Sequence, residues 1–354
     1  MSASLDNGPS STSNEPVITP QLPPQYALGL RHVGITAFWV VVFLFFSYLP
    51  LRSTDLWGHT TWGHWILQNH RLPTEDPFFP LAQGMAVVDS AWLSQVTFAA
   101  FDQQFGPQGL SALFALLVTA TLLLFARAFY LISHRMGPTI VGVLLVLLVG
   151  WSRATTLRPE TFGALLLAAI VLLVTRDLYA TSTSERPSSR WLTWLGIPLA
   201  MAVWANFHGS YLIGLIFLGC VALGHAIDVA WAQRSLRAAF ADATVQRWAF
   251  VTELSLLATF INPYGVNLLV YNLKFAGNPN LLEILEWQPL VILGVGGREF
   301  AVSIVLLLVL FRISRARVTA TQVLLLAVFG FAAIKGIACW AGMHRSSLGL
   351  CSHT

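Results

Sequence analysis

The residues of this chain best equipped for chemistry begin with Asp55-Leu-Trp57-Gly-His59 and continue through Trp62, His64 and His70. Ser53 or Thr54 suits a helix N-cap and Pro73 a stop, so the stretch is expected to be helical. Asp55 and His59 then sit four apart on one face, with Trp62 a turn further on. A carboxylate beside an imidazole can serve as a general base, hold a divalent cation or orient an acceptor hydroxyl. The same residues also suit an amphipathic helix lying in a membrane interface, with Asp55 favouring the helix N-terminus. On this stretch alone both readings stay open.

Three further stretches carry polar residues that apolar surroundings make costly. Leu157-Arg158-Pro159-Glu160 precedes a long apolar run. Proline in a first helical turn is ordinary there, but a guanidinium can also grip phosphate oxygens through two parallel hydrogen bonds. Trp204-Ala205-Asn206-Phe207-His208-Gly209-Ser210 fills a short corner, where Asn206 and His208 are expensive to bury without partners. Asn206 reads equally as a helix cap and as a ligand for substrate hydroxyls or for Asp55. Asn262-Pro263-Tyr264-Gly265 is a strong turn signal, and Glu286 in the loop that follows is an acid that no local rule explains.

Other chemistries lack their signatures. The sequence has no P-loop, no dinucleotide glycine fingerprint, no His-Glu-x-x-His and no Gly-x-Ser-x-Gly. His59, His64 and His70 are spaced so as to scatter around a helix. The three cysteines, Cys220, Cys339 and Cys351, suggest neither a disulfide framework nor a thiolate metal site. A net charge of +4 comes from arginines dispersed over short loops rather than from a stripe, which argues against nucleic acid as a partner.

Membrane helices are what must position these residues. Of 354 residues only 10% are charged and 56% are hydrophobic, with a mean hydropathy of +0.67, whereas soluble domains carry about a quarter charged residues. Apolar runs approaching the roughly 20 residues of a crossing helix fall at Val33–Pro50, Leu110–Ile132, Thr139–Trp151, Thr161–Tyr179 and Trp191–Ala205. Others fall at Tyr211–Trp231, Trp248–Ile261, Phe300–Ile313 and Val318–Ala338. The expectation is an all-α polytopic transmembrane bundle of about nine spans with amphipathic helices in its outer loops. Ala91–Phe105, shorter and carrying Gln95 and Asp102, reads as a re-entrant or interfacial helix. Glu253 lies within the seventh run, within reach of an interface or of Arg247.

With a cytoplasmic N-terminus, inner loops collect arginines from Arg135 to Arg317, while Asp55, Asp89, Glu160 and Glu286 lie outside, as the positive-inside rule prefers. The division expected is a disordered cytoplasmic tail over residues 1–30, a membrane domain over 31–340 with outer loops 52–109 and 262–299, and a short, truncated tail over 341–354.

The order of motifs, Asp55-Leu-Trp-Gly-His59, Pro73-Thr-Glu-Asp76-Pro-Phe, Trp92-Leu-Ser-Gln95, Arg158-Pro-Glu, Trp204-Ala-Asn-Phe-His208-Gly, Asn262-Pro-Tyr-Gly and Glu286-Trp, resembles a group of bacterial multi-span membrane proteins. These are similar to the GT-C superfamily of polyprenol-dependent glycosyltransferases. The resemblance implies that Asp55 is the acid of the first outer loop, a catalytic base or the ligand of a divalent metal ion, with His59 its partner. It also implies Arg158 as the ligand of a lipid phosphate and Asn206 and His208 as contacts to sugar or acceptor. Trp57, Asp89 and Glu286 complete the substrate-binding set. The chain departs from the family pattern at Gly58, where a second Trp is common, and at Ser90-Ala91, where His-Glu often follows the Asp.

The function expected is transfer of a sugar from a polyprenyl-phosphate donor to an acceptor at the outer face of the bacterial inner membrane, among membrane lipids as neighbours. Two alternatives stand beside it. One is a non-catalytic or transport protein binding a lipid or polar solute, and the other is an inactive GT-C-like member.

Overall fold

Where water is absent a backbone must satisfy its own N–H and C=O groups, and a helix does so within one segment. The uncharged Leu, Val, Ala and Phe runs of this chain accordingly fold as helices. The computed structural model describes residues 29–52, 54–82, 84–179, 191–278, 291, 294, 297–313 and 318–335. Among these, thirteen α-helices follow one another. The first seven are α1 (Leu30–Ser47), α2 (Thr54–Asn69), α3 (Trp92–Ser133), α4 (Met136–Val149), α5 (Trp151–Ala154), α6 (Glu160–Tyr179) and α7 (Ile197–Phe207). The rest are α8 (Tyr211–Gln233), α9 (Leu236–Ala241), α10 (Ala243–Ala258), α11 (Val266–Ala276), α12 (Gly297–Ile313) and α13 (Ala320–Lys335). The one strand-like contact among the described residues is a bridge between Glu75 and Ala86.

A helix stands at every expected span, but three of them, α3, α6 and α8, are both long and apolar enough to cross a bilayer. α1, α4, α13 and the π-helical turn Leu192–Gly196 with α7 are apolar yet shorter, and α10 and α12 have 16 and 17 residues. Leu116, Leu123, Leu144, Leu223, Ile227 and Leu257 face outward, as helices surrounded by lipid require. The chain divides into two compact units, Met1–Val41 and Val42–Thr354. In the second, Ile170, Met201, Trp204, Tyr211, Leu218 and Trp248 are buried together as a core. The expected tails at 1–30 and 341–354 fall almost wholly outside the described residues.

α3 is two helices joined at Gly106, whose φ of 64° and ψ of −162° leave the helical region. A positive φ favours glycine, and Pro107 has no N–H to continue the ladder. The break separates a short first arm, expected as a re-entrant or interfacial helix, from the longer apolar arm. α2 lies on the first arm at Gly63, where an added Cβ would stand 1.9 Å from the Gln95 carbonyl oxygen. α2 ends at Asn69, with His70 left-handed at φ 51°, before the expected stop at Pro73.

α6 fixes the distance between the two polar levels. Its 20 residues span about 30 Å at 1.5 Å each, close to a hydrocarbon thickness. Glu160 opens it, and near its far end Asp177 is paired with Arg247 at 2.7 Å. Of the two alternatives for Glu253, pairing with Arg247 is not what the structure shows: six apart on α10, the two leave the helix in different directions, and Glu253 is exposed.

Candidate functional site

The first turn of α2 and the loop before α6 meet in an ion pair. Arg158 Nη2 lies 2.7 Å from Asp55 Oδ2, with the arginine side chain 21% and the aspartate 53% exposed. A charge-assisted contact of this length is among the stronger polar contacts available to a protein. Beside it, Arg153 of α5 donates to Glu160 Oε1 at 2.6 Å.

One turn along α2, His59 faces the first arm of α3. Gln95 Nε2 lies 3.3 Å from His59 Nδ1 and donates to Asp89 Oδ1 at 3.1 Å. An amide NH2 group has two hydrogens and no lone pair to offer, so both neighbours accept. With the Gln95 amide in this orientation, its Oε1 without a hydrogen-bond partner among the described residues, His59 Nδ1 is the acceptor and the imidazole hydrogen belongs on Nε2. Asp89 also accepts from the Ala91 N–H at 3.0 Å, while its backbone N–H donates to the Tyr264 hydroxyl at 3.1 Å. The turn Asn262-Pro-Tyr-Gly, which an Asn262 side chain closes by accepting from the Tyr264 N–H, thereby holds the Asp89 loop.

The corner between α7 and α8 supplies a second imidazole. The Ser210 N–H donates to His208 Nδ1 at 3.2 Å, and Ser210 Oγ lies 2.8 Å from the same nitrogen. Trp204 Nε1 donates to that Oγ at 3.1 Å, which turns the hydroxyl hydrogen toward His208. His208 consequently also keeps its hydrogen on Nε2. The corner is anchored by Phe207, stacked on Phe162 at 4.3 Å, and by Asn206. Asn206 accepts from Trp92 Nε1 at 3.0 Å and donates to the Ala202 and Ile261 carbonyls at 2.8 and 2.7 Å. Its amide fastens α7 to α3 and to the end of the α10 segment.

Burial sets the charge of the group. His59 is pushed down to about 4, chiefly by burial, then by His208, with Asp55 pulling the other way and Arg158 adding to the fall. His208 is lowered as well, by burial first, with Glu160 opposing and Arg153 adding to the shift. Asp89, 7% exposed, is raised to about 6 by burial, against the hydrogen bonds from Ala91 and Gln95. Near neutral pH both imidazoles are uncharged.

Of the residues expected from sequence, Asp55 is paired with Arg158 and His59 is linked through Gln95 to Asp89, while His208 contacts Ser210 and Asn206 acts as a fastener. Trp57 is 44% exposed on α2, and Glu286 lies outside the described residues. Gln95, Ser210 and Tyr264 were not among the expected site residues; the Trp-Leu-Ser-Gln motif and the residue types flanking His208 and Asn262 were their only signals. His64, on another side of α2, contacts Asp102 at 3.2 Å. Among the described residues no group of three or more His, Cys, Asp or Glu side chains is placed to hold a metal ion. At Asp55 an ion would find one carboxylate, already facing a guanidinium.

No protein-family model, no curated protein and no solved structure matches this chain.

Proposed function

We propose that the chain is a GT-C-like transferase of the bacterial inner membrane, with about nine spans, a cytoplasmic N-terminus and its site at the outer face. In this reading it moves a sugar from a polyprenyl-phosphate donor to an acceptor hydroxyl. The observation that carries the reading is the Asp55–Arg158 pair, a base and a phosphate ligand brought from separate loops to one place beside two imidazoles. Its depth supports the choice of a lipid-borne donor. Arg158 precedes α6, and the Asp177–Arg247 pair near the other end of that helix lies about one hydrocarbon thickness away.

Donor phosphate competes with Asp55 for the Arg158 guanidinium and releases the carboxylate. Asp55 then takes the proton of the acceptor hydroxyl as its oxygen bonds to the anomeric carbon. The bond from that carbon to the phosphate oxygen breaks, and its electron pair leaves with polyprenyl phosphate, whose charge Arg158 balances. Asp55 is also the residue a divalent ion would use, at the expense of its ion pair, and no step here depends on one.

A second reading, retention of an anionic lipid or polar solute without turnover, draws support from the same contact, because a paired Asp55 is an occupied base. Incubation with a polyprenyl-phosphate hexose in dodecyl maltoside, followed by chromatography of released polyprenyl phosphate, separates the two. The transferase reading expects release by the parent protein and a loss of about 100-fold or more in Asp55→Asn with an unchanged melting profile. Binding without release by both proteins supports the second reading, and equal release by both removes Asp55 from the mechanism.

A further inference from the structure

Two buried oxygens behind His59 lack a donor. Gln95 Nε2 donates to Asp89 Oδ1 at 3.1 Å, yet the other oxygen of each group, Asp89 Oδ2 and Gln95 Oε1, is buried without a hydrogen-bond partner among the described residues. Asp89 is 7% and Gln95 5% exposed. Each orphan oxygen shares a carbon with an atom of the 3.1 Å contact, Oδ2 with Oδ1 and Oε1 with Nε2, so covalent geometry keeps both beside it. An ionised carboxylate and an amide carbonyl only accept. Two dry acceptors at one place are costly.

Reversing the amide gives no remedy. It would set Oε1 against Asp89 Oδ1, acceptor on acceptor, and withdraw the N–H that reaches His59 Nδ1 at 3.3 Å. The neighbours of Asp89 supply no cation either. The Ala91 N–H donates to Oδ1 at 3.0 Å, and the Asp89 N–H is spent on the Tyr264 hydroxyl at 3.1 Å. The titratable groups facing Asp89 are Tyr264, from the turn before α11, and Tyr271 of α11, with His59 of α2 beyond Gln95. A single hydrogen on Oδ2 satisfies both orphans: a carboxylic acid then presents O–H and C=O to an amide that presents C=O and N–H. Burial, which raises Asp89 to about 6, favours the same form.

We propose that Asp89 binds a proton at Oδ2 and donates it to Gln95 Oε1, closing a two-bond acid–amide ring that acts as a proton-operated latch on His59. The proton comes from solvent and returns to it, and no covalent bond other than its O–H forms or breaks. While the ring is closed, the first arm of α3 is tied to the loop before it, and the second Gln95 hydrogen is aimed at His59. Through Tyr264 the latch also holds the turn before α11. Once the proton leaves, Oδ2 and Oε1 face each other as acceptors, the ring opens and Gln95 loosens from His59. Gln95 is a positioning residue in this scheme, and Asp89 the group that sets its state. The latch is independent of what the site transfers or retains.

The test follows both side chains by nuclear magnetic resonance in the full-length protein in dodecyl maltoside. Val88–Asp89 is the one Val-Asp pair and Ser94–Gln95 the one Ser-Gln pair in the sequence, so pairwise labelling identifies both residues without a variant. From pH 5 to 8 the Asp89 Cγ signal should pass from acid to carboxylate with a midpoint of about 6, against 3.8 for an ordinary aspartate. The Gln95 Nε2 signal should move with the same midpoint. In Asp89→Asn, whose amide N–H can take the place of the acid O–H, the Gln95 signal should stay near the parent's low-pH position throughout. The proposal is overturned if Asp89 is a carboxylate at pH 5, if the Gln95 amide does not follow Asp89, or if it still titrates over this range in Asp89→Asn. Should Asp89→Asn fail to fold, the first two results, read on the parent, decide. Sugar transfer enters none of these readouts, so the latch and the transferase reading stand or fall separately.

Discussion

The Arg158 guanidinium meets the Asp55 carboxylate at 2.7 Å, joining the first turn of α2 to the loop that opens α6. Each residue is common at such a position for structural reasons: an acid in a first helical turn, and a basic anchor at an interface. Their meeting is not explained by either reason. With Asp55 about half exposed, solvent screens the pair and holds its contribution to stability to the order of 0–1 kcal/mol, so Asp55→Asn should leave the melting temperature nearly unchanged. Its effect should fall on turnover, with a loss of about 100-fold or more. A scan of the two proteins by intrinsic fluorescence, alongside the release assay, checks both halves.

Arg158→Lys keeps the charge and loses the fork that grips two oxygens at once. kcat/KM should fall about tenfold, through kcat as well as donor KM, and Arg158→Ala should lower it further. Initial rates over a range of donor concentration decide this. An unchanged kcat/KM would place Arg158 away from the donor.

Opposite pH dependences are expected from the two buried groups joined by Gln95. Asp89 is raised in the folded protein from 3.8 to about 6. Its contribution therefore favours folding at low pH and is lost as pH rises through 6. His59 is lowered from 6.5 to about 4. It has no adverse effect above 6.5 and destabilises progressively as pH falls toward 4. Relative to the parent, the melting temperature of Asp89→Asn should gain between pH 4 and 7, and that of His59→Gln should lose its advantage over the same interval. Matching slopes in the two variants would show that the titrations are misassigned.

Gly63 tests the scaffold. A Cβ there would lie 1.9 Å from the Gln95 carbonyl oxygen and 2.8 Å from Ala99 Cβ, and backbone cannot yield as a flexible side chain does. Gly63→Ala should destabilise by about 1–3 kcal/mol and displace Gln95 from His59. Gly58→Ala on the same helix, with open space around its Cβ position, should show only the small effect of an exposed helical site. Thermal unfolding of the two variants provides the comparison.

Much of the neighbourhood was legible in the chain because its members are conspicuous. Asp55, His59, Arg158 and His208 are ionisable or hydrogen-bonding residues set beside apolar runs, and there each demands a partner. Gln95 and Ser210 were not legible as site residues. A glutamine in the first turn of a helix and a serine after a glycine are ordinary; Gln95 gains its importance from His59 of α2, which folding brings to 3.3 Å, and Ser210 from the turn that folds it back on His208 at 2.8 Å. Asn206 shows the reverse: its type invited a ligand role, while Trp92 and Ile261, brought in by folding, occupy its amide. The helices were legible in position more than in length. Hydropathy marks where an apolar run lies, but α10 and α12 end after 16 and 17 residues, and the break of α3 at Gly106 depends on backbone angles.

The central claim is that Asp55 and Arg158 serve one reaction at one site. A double-mutant cycle measures it directly, with kcat/KM for transfer from a polyprenyl-phosphate hexose determined for the parent, Asp55→Asn, Arg158→Gln and the double variant. Residues acting as a unit should be strongly non-additive, with each single variant down about 100-fold and the double within about tenfold of the worse single. Losses that multiply, or a double variant with parental turnover, would contradict it.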